Sequence, residues 1–353
     1  MNIAIINSLG KEKYKKCLNS LNKTINIKNH KIFKFHEDKF RGHTLNNIIK
    51  KIGFKNDLLI VADDVSFTKG WLKNLFKYRH NADIWGASML YPNSKKIQDN
   101  GYDLVRFKEN TFLRPINRGK LIKKVDKPGW KYADCVCGCF LYIKKETFKY
   151  QKNFYPTYGM NRWDELTFIL SAKMKGLKLG VINHYLYHEG TSTKNNINKN
   201  LSSTSYQIEK KLWEKFENKF INKNNIKKNI KINFSNKLLK IVNNKNSKIL
   251  FYGAGIFSEF LLLSKLVTNK KICFVSSFKE EINLKIENKY KIKNFKKINV
   301  MGYNLIIITP ADAADKIFKS KFKFIKNINW KGKLFKVKEN KSMHKWDYSI
   351  NEI

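Results

Sequence analysis

Along the first half of the chain, short unbroken apolar runs alternate with stretches whose apolar residues recur at helical spacing. Asn2 to Asn7, Lys31 to Phe35 and Leu58 to Val61 read as strands. Lys11 to Asn22, with Tyr14, Leu18 and Leu21 on one face, and a segment from about Thr44 read as helices. Further strands are predicted at Ala82 to Met89, Ala133 to Ile143 and Leu177 to Ile182, with a helix at Trp163 to Lys175. Strands alternating with helices imply a largely parallel sheet, so the expected fold class is α/β. Thr191 to Asn200, polar and rich in Asn and Lys, reads as a loop or lid. A charged amphipathic helix is predicted at Ser205 to Phe220, with Ile208, Leu212, Phe216 and Phe220 at helical spacing, and an Asn/Lys-rich connector runs on to about Ser247.

A second, smaller α/β unit opens at Lys248-Ile249-Leu250-Phe251-Tyr252-Gly253-Ala254-Gly255-Ile256-Phe257-Ser258. Strand, glycine turn and helix in that order can cradle a phosphate on backbone N–H groups, which makes Gly253 and Gly255 a candidate ligand turn. Ser258 stands where a dinucleotide fingerprint has its third glycine. The next strand, Ile272 to Val275, ends in Ser276-Ser277 where a ribose-binding acid is wanted. The alternative is a Rossmann-like module whose glycines only close a tight turn. A strand at Asn304 to Thr309 fits the same open sheet. The expected organisation is a nucleotide-sugar-type domain over 1–200, a connector over 201–246, a Rossmann-like domain over 247–338 and a tail over 339–353.

With 353 residues and 42% apolar content, the chain can build two cores. Its 71 Lys and Arg against 28 Asp and Glu give a formal charge of +43, which raises nucleic acid or an anionic membrane as partners. Lys, Asn and Ile are abundant throughout, so compositional bias supplies much of that charge. No zinc finger, basic zipper or aromatic ribonucleoprotein motif accompanies it, which argues against a specific nucleic-acid reader. Peripheral membrane association fits equally, each basic residue near anionic lipid being worth about 1 kcal/mol. The odd set Cys17, Cys135, Cys137, Cys139 and Cys273 points to a reducing cytoplasm. On a strand, Cys135, Cys137 and Cys139 share one side, as small buried hydrophobes rather than as a metal cluster. Met1 to Asn7 is too short for a signal peptide, and nowhere are there about 18 uninterrupted apolar residues. A soluble or peripheral cytoplasmic protein is expected.

The strongest chemical signal is Leu58-Leu59-Ile60-Val61-Ala62-Asp63-Asp64-Val65, a buried-strand pattern running into two adjacent carboxylates. Ligands of α/β sheets collect beyond the carboxyl ends of the strands. Paired oxygen donors there suit Mg²⁺ or Mn²⁺, whose remaining positions are commonly filled by substrate phosphates. The competing reading is a turn in which Asp63 or Asp64 caps the segment Ser66 to Tyr78.

The order of blocks is more specific than any one of them. Leu59 to Val65, Lys69-Gly70-Trp71-Leu72, Gly86 to Pro92 with Ile97-Gln98-Asp99-Asn100-Gly101, Gly138 to Lys145, Trp163-Asp164-Glu165-Leu166-Thr167-Phe168 with Gly176, and Tyr187-His188-Glu189-Gly190 together resemble a family-2 glycosyltransferase over roughly residues 1–195. The resemblance implies the GT-A fold and inverting transfer of a sugar from a nucleotide donor to a hydroxyl of a glycan or lipid-linked acceptor, as in surface polysaccharide synthesis. It further implies Asp64 and His188 as ligands of Mn²⁺ or Mg²⁺, Asp63 at the donor ribose or a metal-bound water, and Glu165 as base. Asp164 would orient the acceptor or stabilise the loop, and Gly138 falls at the acceptor side. Trp163 offers a flat face for a sugar ring or is a buried indole, and Asn7 and Asp38, at the ends of the first two strands, are candidates for contacts to the nucleotide base. Without the motif order, His188 reads as a surface histidine packed on Tyr187, and the acidic pair as a helix cap with an acidic first turn. Two departures stand out: Ala62 where the family carries an acid or amide, and Asp164-Glu165 where it has Glu followed by Asp. The competing functions are a nucleic-acid-binding protein carried by the charge and a nucleotide-dependent oxidoreductase acting through Gly253 and Gly255.

Overall fold

The computed structural model describes residues 1–8, 10–36, 41–122, 129–154, 163–189, 228–277, 281–287, 289–309, 330–341 and 345–353, with isolated positions between 210 and 226 and at 317, 321 and 322. The chain is mixed α/β and divides into two compact units. The first comprises Met1–Arg106, Thr111–Ser203 and Phe216–Lys228; the second comprises Phe107–Asn110, Thr204–Lys215 and Asn229–Ile353.

In the first unit, β1 (Asn2–Asn7), β2 (Lys31–His36), β3 (Leu58–Ala62), β4 (Val65–Ser66), β5 (Ile84–Leu90) and β6 (Ile97–Asp99) precede the hairpin of β7 (Tyr102–Phe107) and β8 (Asn110–Pro115). Then come β9 (Trp130–Tyr132), β10 (Phe140–Ile143) and β11 (Leu179–His188). The helices are α1 (Lys11–Asn22), α2 (Arg41–Ile52), α3 (Trp71–Tyr78) and α4 (Trp163–Met174). The sheet order is β2-β1-β3-β10-β5-β11-β4, with β6 on β5 and β9 on β11. β1 runs parallel to β2 and β3, β10 is antiparallel to both β3 and β5, and β11 is parallel to β5. The carboxyl ends of β1, β2, β3, β5 and β11 therefore share one edge, and the start of β10 lies on that edge too.

Every residue of β3 and of β5 is buried, as continuous apolar runs covered on both faces should be. Beneath the end of β3, Trp71 packs edge-on against Phe140 at 5.6 Å and tilted against Phe67 at 4.9 Å. Those large rings fix the strand from which the two acids emerge. The strand expected over Ala133 to Ile143 is corrected: only Phe140–Ile143 forms β10, and Cys135 instead bridges to Tyr102. The strand that was to put Cys135, Cys137 and Cys139 on one side is therefore absent, although Cys137 Sγ and Cys139 Sγ still lie 3.2 Å apart. Among the described residues all five cysteines are free, and no group of three or more His, Cys, Asp or Glu side chains is arranged to hold a metal ion.

The second unit contains β12 (Lys231–Phe234), β13 (Ile249–Tyr252), β14 (Ile272–Ser276), β15 (Lys285–Ile286), β16 (Tyr290–Asn294), β17 (Leu305–Ile308), β18 (Lys333–Lys341) and β19 (Lys345–Glu352), with helices α5 (Asn236–Val242) and α6 (Ile256–Leu263). Its sheet order is β12-β19-β18-β17-β13-β14-β16-β15. Leaving out the two edge strands, β16-β14-β13-β17-β18-β19 follow the 3-2-1-4-5-6 order of doubly wound nucleotide-binding sheets, except that β19 is antiparallel to β18. The stretch from 339 on, expected as a tail, instead supplies the end of β18 and all of β19, where Trp346, Tyr348 and Ile350 are buried. The connector expected up to 246 likewise contains β12 and α5, which belong to this unit. The loop expected at Thr191 to Asn200 lies outside the described residues. So does most of the helix expected at Ser205 to Phe220, although the described positions 210, 213, 214, 217 and 218 are helical. No helix among the described residues is long and apolar enough to cross a membrane.

Candidate functional site

Strand ends bring Asn7, Asp63, Asp64 and His188 to one edge of the first unit's sheet. Asp63 and Asp64 follow β3 directly and are 1% and 6% exposed. The Asp63 N–H donates to Ile6 O at 3.1 Å, and the Ser8 hydroxyl donates to Asp63 Oδ1 at 3.1 Å, so Asp63 is tied to the loop after β1. At the end of β1 itself, Asn7 Nδ2 donates to His36 Nδ1 at 3.2 Å, reaching the end of β2. Asn7 and Asp63 thus occupy adjacent strand ends. Asp38, on the segment after β2, lies outside the described residues.

Asp64 meets the last residue of β11. The short strand β4 pairs antiparallel with β11, His188 opposite Val65, and the Glu189 N–H donates to Asp64 O at 3.2 Å. This register carries His188 to Asp64: His188 Nε2 lies 3.3 Å from Asp64 Oδ1. On the other side of the ring, Nδ1 is 3.1 Å from Gln98 Oε1. An amide oxygen only accepts, so Nδ1 carries the hydrogen towards Gln98, and Nε2 is the nitrogen that faces the carboxylate oxygen. A carboxylate with an imidazole whose second nitrogen is held by a neighbouring acceptor is a donor set that Mn²⁺ accepts, so these residues fit a divalent cation completed by water or substrate oxygens. Asp63 and Asp64 do form the turn between β3 and β4, but neither caps the helix that follows: the N-cap of α3 is Gly70, at φ 90°, with no side-chain cap.

Glu165 reaches the same edge from the first turn of α4. It is 7% exposed, and a Cβ on Gly138 would lie 2.4 Å from its Cδ and 2.6 and 2.8 Å from its carboxylate oxygens. The carboxylate therefore rests on the bare Cα of Gly138. Next along the chain, Cys139 O accepts from the Ala62 N–H at 3.0 Å, continuing the β3–β10 register to the residue before Asp63. Gly138 joins the acid on α4 to the acid pair after β3. Trp163 and Asp164 are backbone of α4, and their side chains lie outside the described residues.

The electrostatics follow from burial beside carboxylates. Burial pushes the Cys17 thiol up, reinforced by Asp63 and Asp64; its Sγ donates to Ala62 O at 3.7 Å. Burial also raises the Asp99 carboxyl, opposed by Tyr102, the Gly101 N–H, Arg118 and His188. Gln98, Asp99 and His36 are site residues to which the sequence argument gave no role. Gln98 and Asp99 had a signal, the block Ile97 to Gly101; His36 had none beyond its place at the end of a predicted strand.

In the second unit, Gly253 follows β13 at φ 111°, where a side chain is strained, whereas a Cβ on Gly255 would meet nothing within 4 Å. Ser258, at the third glycine's position, donates through its hydroxyl to Gly253 O at 3.0 Å and so closes the turn on itself. Tyr252 and Ser277 hydroxyls lie 2.8 Å apart past the end of β14.

No protein-family model and no curated protein sequence matches the chain. Solved structures do. GalNAc-T7 with UDP, GalNAc and Mn²⁺ matches at TM-score 0.41 and 11% identity, over 62% of this chain and 50% of that one. TarS 1–349 of S. aureus matches at 0.36 and 12%, over 54% and 61%. The catalytic domain of Drosophila β1,4-galactosyltransferase 7, in complex with xylobiose, matches at 0.33 and 14%, over 52% and 64%. In each case the matched part is less than two thirds of the other chain.

Proposed function

We propose that the first unit is an inverting glycosyltransferase of GT-A type, moving a sugar from a nucleoside-diphosphate donor to a hydroxyl of a glycan or lipid-linked acceptor. The observation that carries this reading is the 3.3 Å approach of His188 Nε2 to Asp64 Oδ1, on the sheet edge that also receives Glu165. In sugar transfer the anomeric carbon becomes oxocarbenium-like while charge builds on the departing diphosphate. A divalent cation, Mn²⁺ or Mg²⁺, held by Asp64 and His188 would neutralise that charge, an effect worth several kcal/mol at the transition state.

The remaining roles fall to the chain's own side chains. Glu165, seated on Gly138, takes the proton from the acceptor hydroxyl as it attacks. Asp63, held by Ser8, orients the donor ribose, and Asn7 contacts the base, a role the sequence resemblance also gives to Asp38. Asp164 and Trp163 orient the acceptor. The +43 charge favours work at an anionic membrane face, where a lipid-linked acceptor is presented. A second reading concerns the C-terminal unit, whose strand order and glycine turn favour a Rossmann-like nucleotide-binding module.

Calorimetric titration of UDP and GDP, with and without Mn²⁺, tests the first reading. Binding that requires Mn²⁺ and is lost in Asp64→Asn at unchanged melting temperature is expected. Glu165→Gln should keep nucleotide binding and lose turnover of UDP-glucose, UDP-N-acetylgalactosamine or GDP-mannose. Failure of both nucleotides to bind wild-type protein in Mn²⁺ would overturn the proposal.

A further inference from the structure

The sequence Cys137-Gly138-Cys139 sits under the proposed base, and its two thiols are in contact: Sγ to Sγ is 3.2 Å. A disulfide needs about 2.05 Å, so the side chains have to close by roughly 1 Å. The other cysteines of this unit are engaged elsewhere. Cys135 is fully buried with its Sγ directed at Val136 O, and Cys17 Sγ donates to Ala62 O. Cys137 is partly exposed and Cys139 is 7% exposed, which makes Cys137 the thiol an outside reagent reaches first. The bond from Cys137, then burial and the nearby carboxylates, holds the Cys139 thiol well above its usual range, which makes it the less reactive of the two; it is the contact with Cys137 Sγ that presents it to a mixed disulfide.

We propose that Cys137 and Cys139 form a reversible dithiol–disulfide site that takes small-molecule disulfides of the glutathione class. Cys137 gives up its proton to solvent and attacks one sulfur of the reagent, releasing one thiolate and leaving a mixed disulfide. Cys139 then loses its proton and attacks Cys137 Sγ, expelling the second thiol. The reagent's S–S bond becomes two S–H groups, the protein's two S–H groups become one S–S bond, and two electrons pass to the reagent.

Closure contracts the segment on which Glu165 rests and from which Cys139 O holds the Ala62 N–H beside the Asp pair. Resting on the glycosyltransferase reading, the inference is that oxidation suppresses transfer. A carboxylate displaced by about 1 Å typically loses on the order of a hundredfold in rate.

The test incubates the full-length protein with oxidised glutathione, blocks remaining thiols with N-ethylmaleimide and follows the tryptic peptide Tyr132–Lys144 by mass spectrometry. A peptide alkylated only at Cys135 and lighter by two hydrogens at Cys137 and Cys139, restored by dithiothreitol, is expected. Cys137→Ser, which keeps the fold even where a change at buried Cys139 does not, should abolish closure. Alkylation of all three cysteines, a disulfide through Cys135, or a glutathione adduct that persists on Cys137 would overturn the site. Turnover in Mn²⁺ is read in parallel. A closed disulfide with unchanged turnover refutes the switch, whereas a protein inactive even when reduced points to failure of the glycosyltransferase reading and leaves the dithiol chemistry standing.

Discussion

Gly138→Ala is the sharpest probe of the site, because the nearest atoms that the added methyl group meets all belong to the proposed base. The new Cβ would lie 2.4 Å from Glu165 Cδ, where ordinary contact begins near 3.4 Å. The carboxylate has to give way by about 1 Å, by turning about its own side-chain bonds in a position that is 7% exposed. Such a displacement of a catalytic group is worth on the order of a hundredfold in rate, or about 2.7 kcal/mol of transition-state stabilisation. Overpacking would also lower stability by about 1–3 kcal/mol, so the effect has to be separated from unfolding. Initial rates of nucleoside-diphosphate release from UDP-glucose, UDP-N-acetylgalactosamine and GDP-mannose in Mn²⁺ report the first quantity, and thermal melting reports the second. The rate should fall while the affinity for UDP is kept, since the donor-side residues Asn7, Asp63 and Asp64 are untouched. A double-mutant cycle adds the decisive comparison. Glu165→Asp shortens the side chain by one methylene, so Gly138→Ala should cost far less on that background than on wild type. Wild-type turnover in Gly138→Ala, or strictly additive losses with Glu165→Asp, would refute the placement of Glu165 as base.

Gln98→Leu removes the acceptor of the His188 Nδ1 hydrogen and should weaken Mn²⁺ binding about 10–100-fold with little change in melting; unchanged affinity would show that Gln98 does not orient the ring. Burial pushes Lys131 down to about 8, against about 10.4 in the unfolded chain, so between those values the unfolded state holds the proton more tightly. Stability should therefore rise as pH increases from about 8 to about 10.4, by on the order of 3 kcal/mol, and Lys131→Met should flatten that rise and raise the melting temperature at pH 7. In the second unit, Gly253→Ala should destabilise by about 1–3 kcal/mol because the residue sits at φ 111°, whereas Gly255→Ala, with open space around its Cβ, should melt as wild type. Equal melting of the two variants would show that this turn does not depend on a left-handed glycine.

The two halves of the site differed in how far the sequence reveals them, and the difference has a physical origin. A strand buried on both faces writes itself as an apolar run, and an acid after such a run is conspicuous; Asp63 and Asp64 were legible for that reason. The partner strand β11 was only half visible. Its buried start, Leu179 to Ile182, reads as strand, but its register shifts between Ile182 and Tyr185, and beyond that point half-buried residues such as His184 and exposed Tyr187 break the pattern. What holds that second half is tertiary: His184 bonds to Thr68 at 2.9 Å and to Asn74 at 2.8 Å, residues more than a hundred positions earlier. The delivery of His188 to Asp64 thus depends on contacts that no local window contains. The same holds for Gly138. Its sequence context, alternating cysteines in an apolar stretch, imitates a continuous strand, while the chain in fact bends there so that a bare Cα can receive Glu165. The bare Cα at Gly138 leaves the room that the Glu165 carboxylate occupies, and that close approach becomes visible only when both elements are in place.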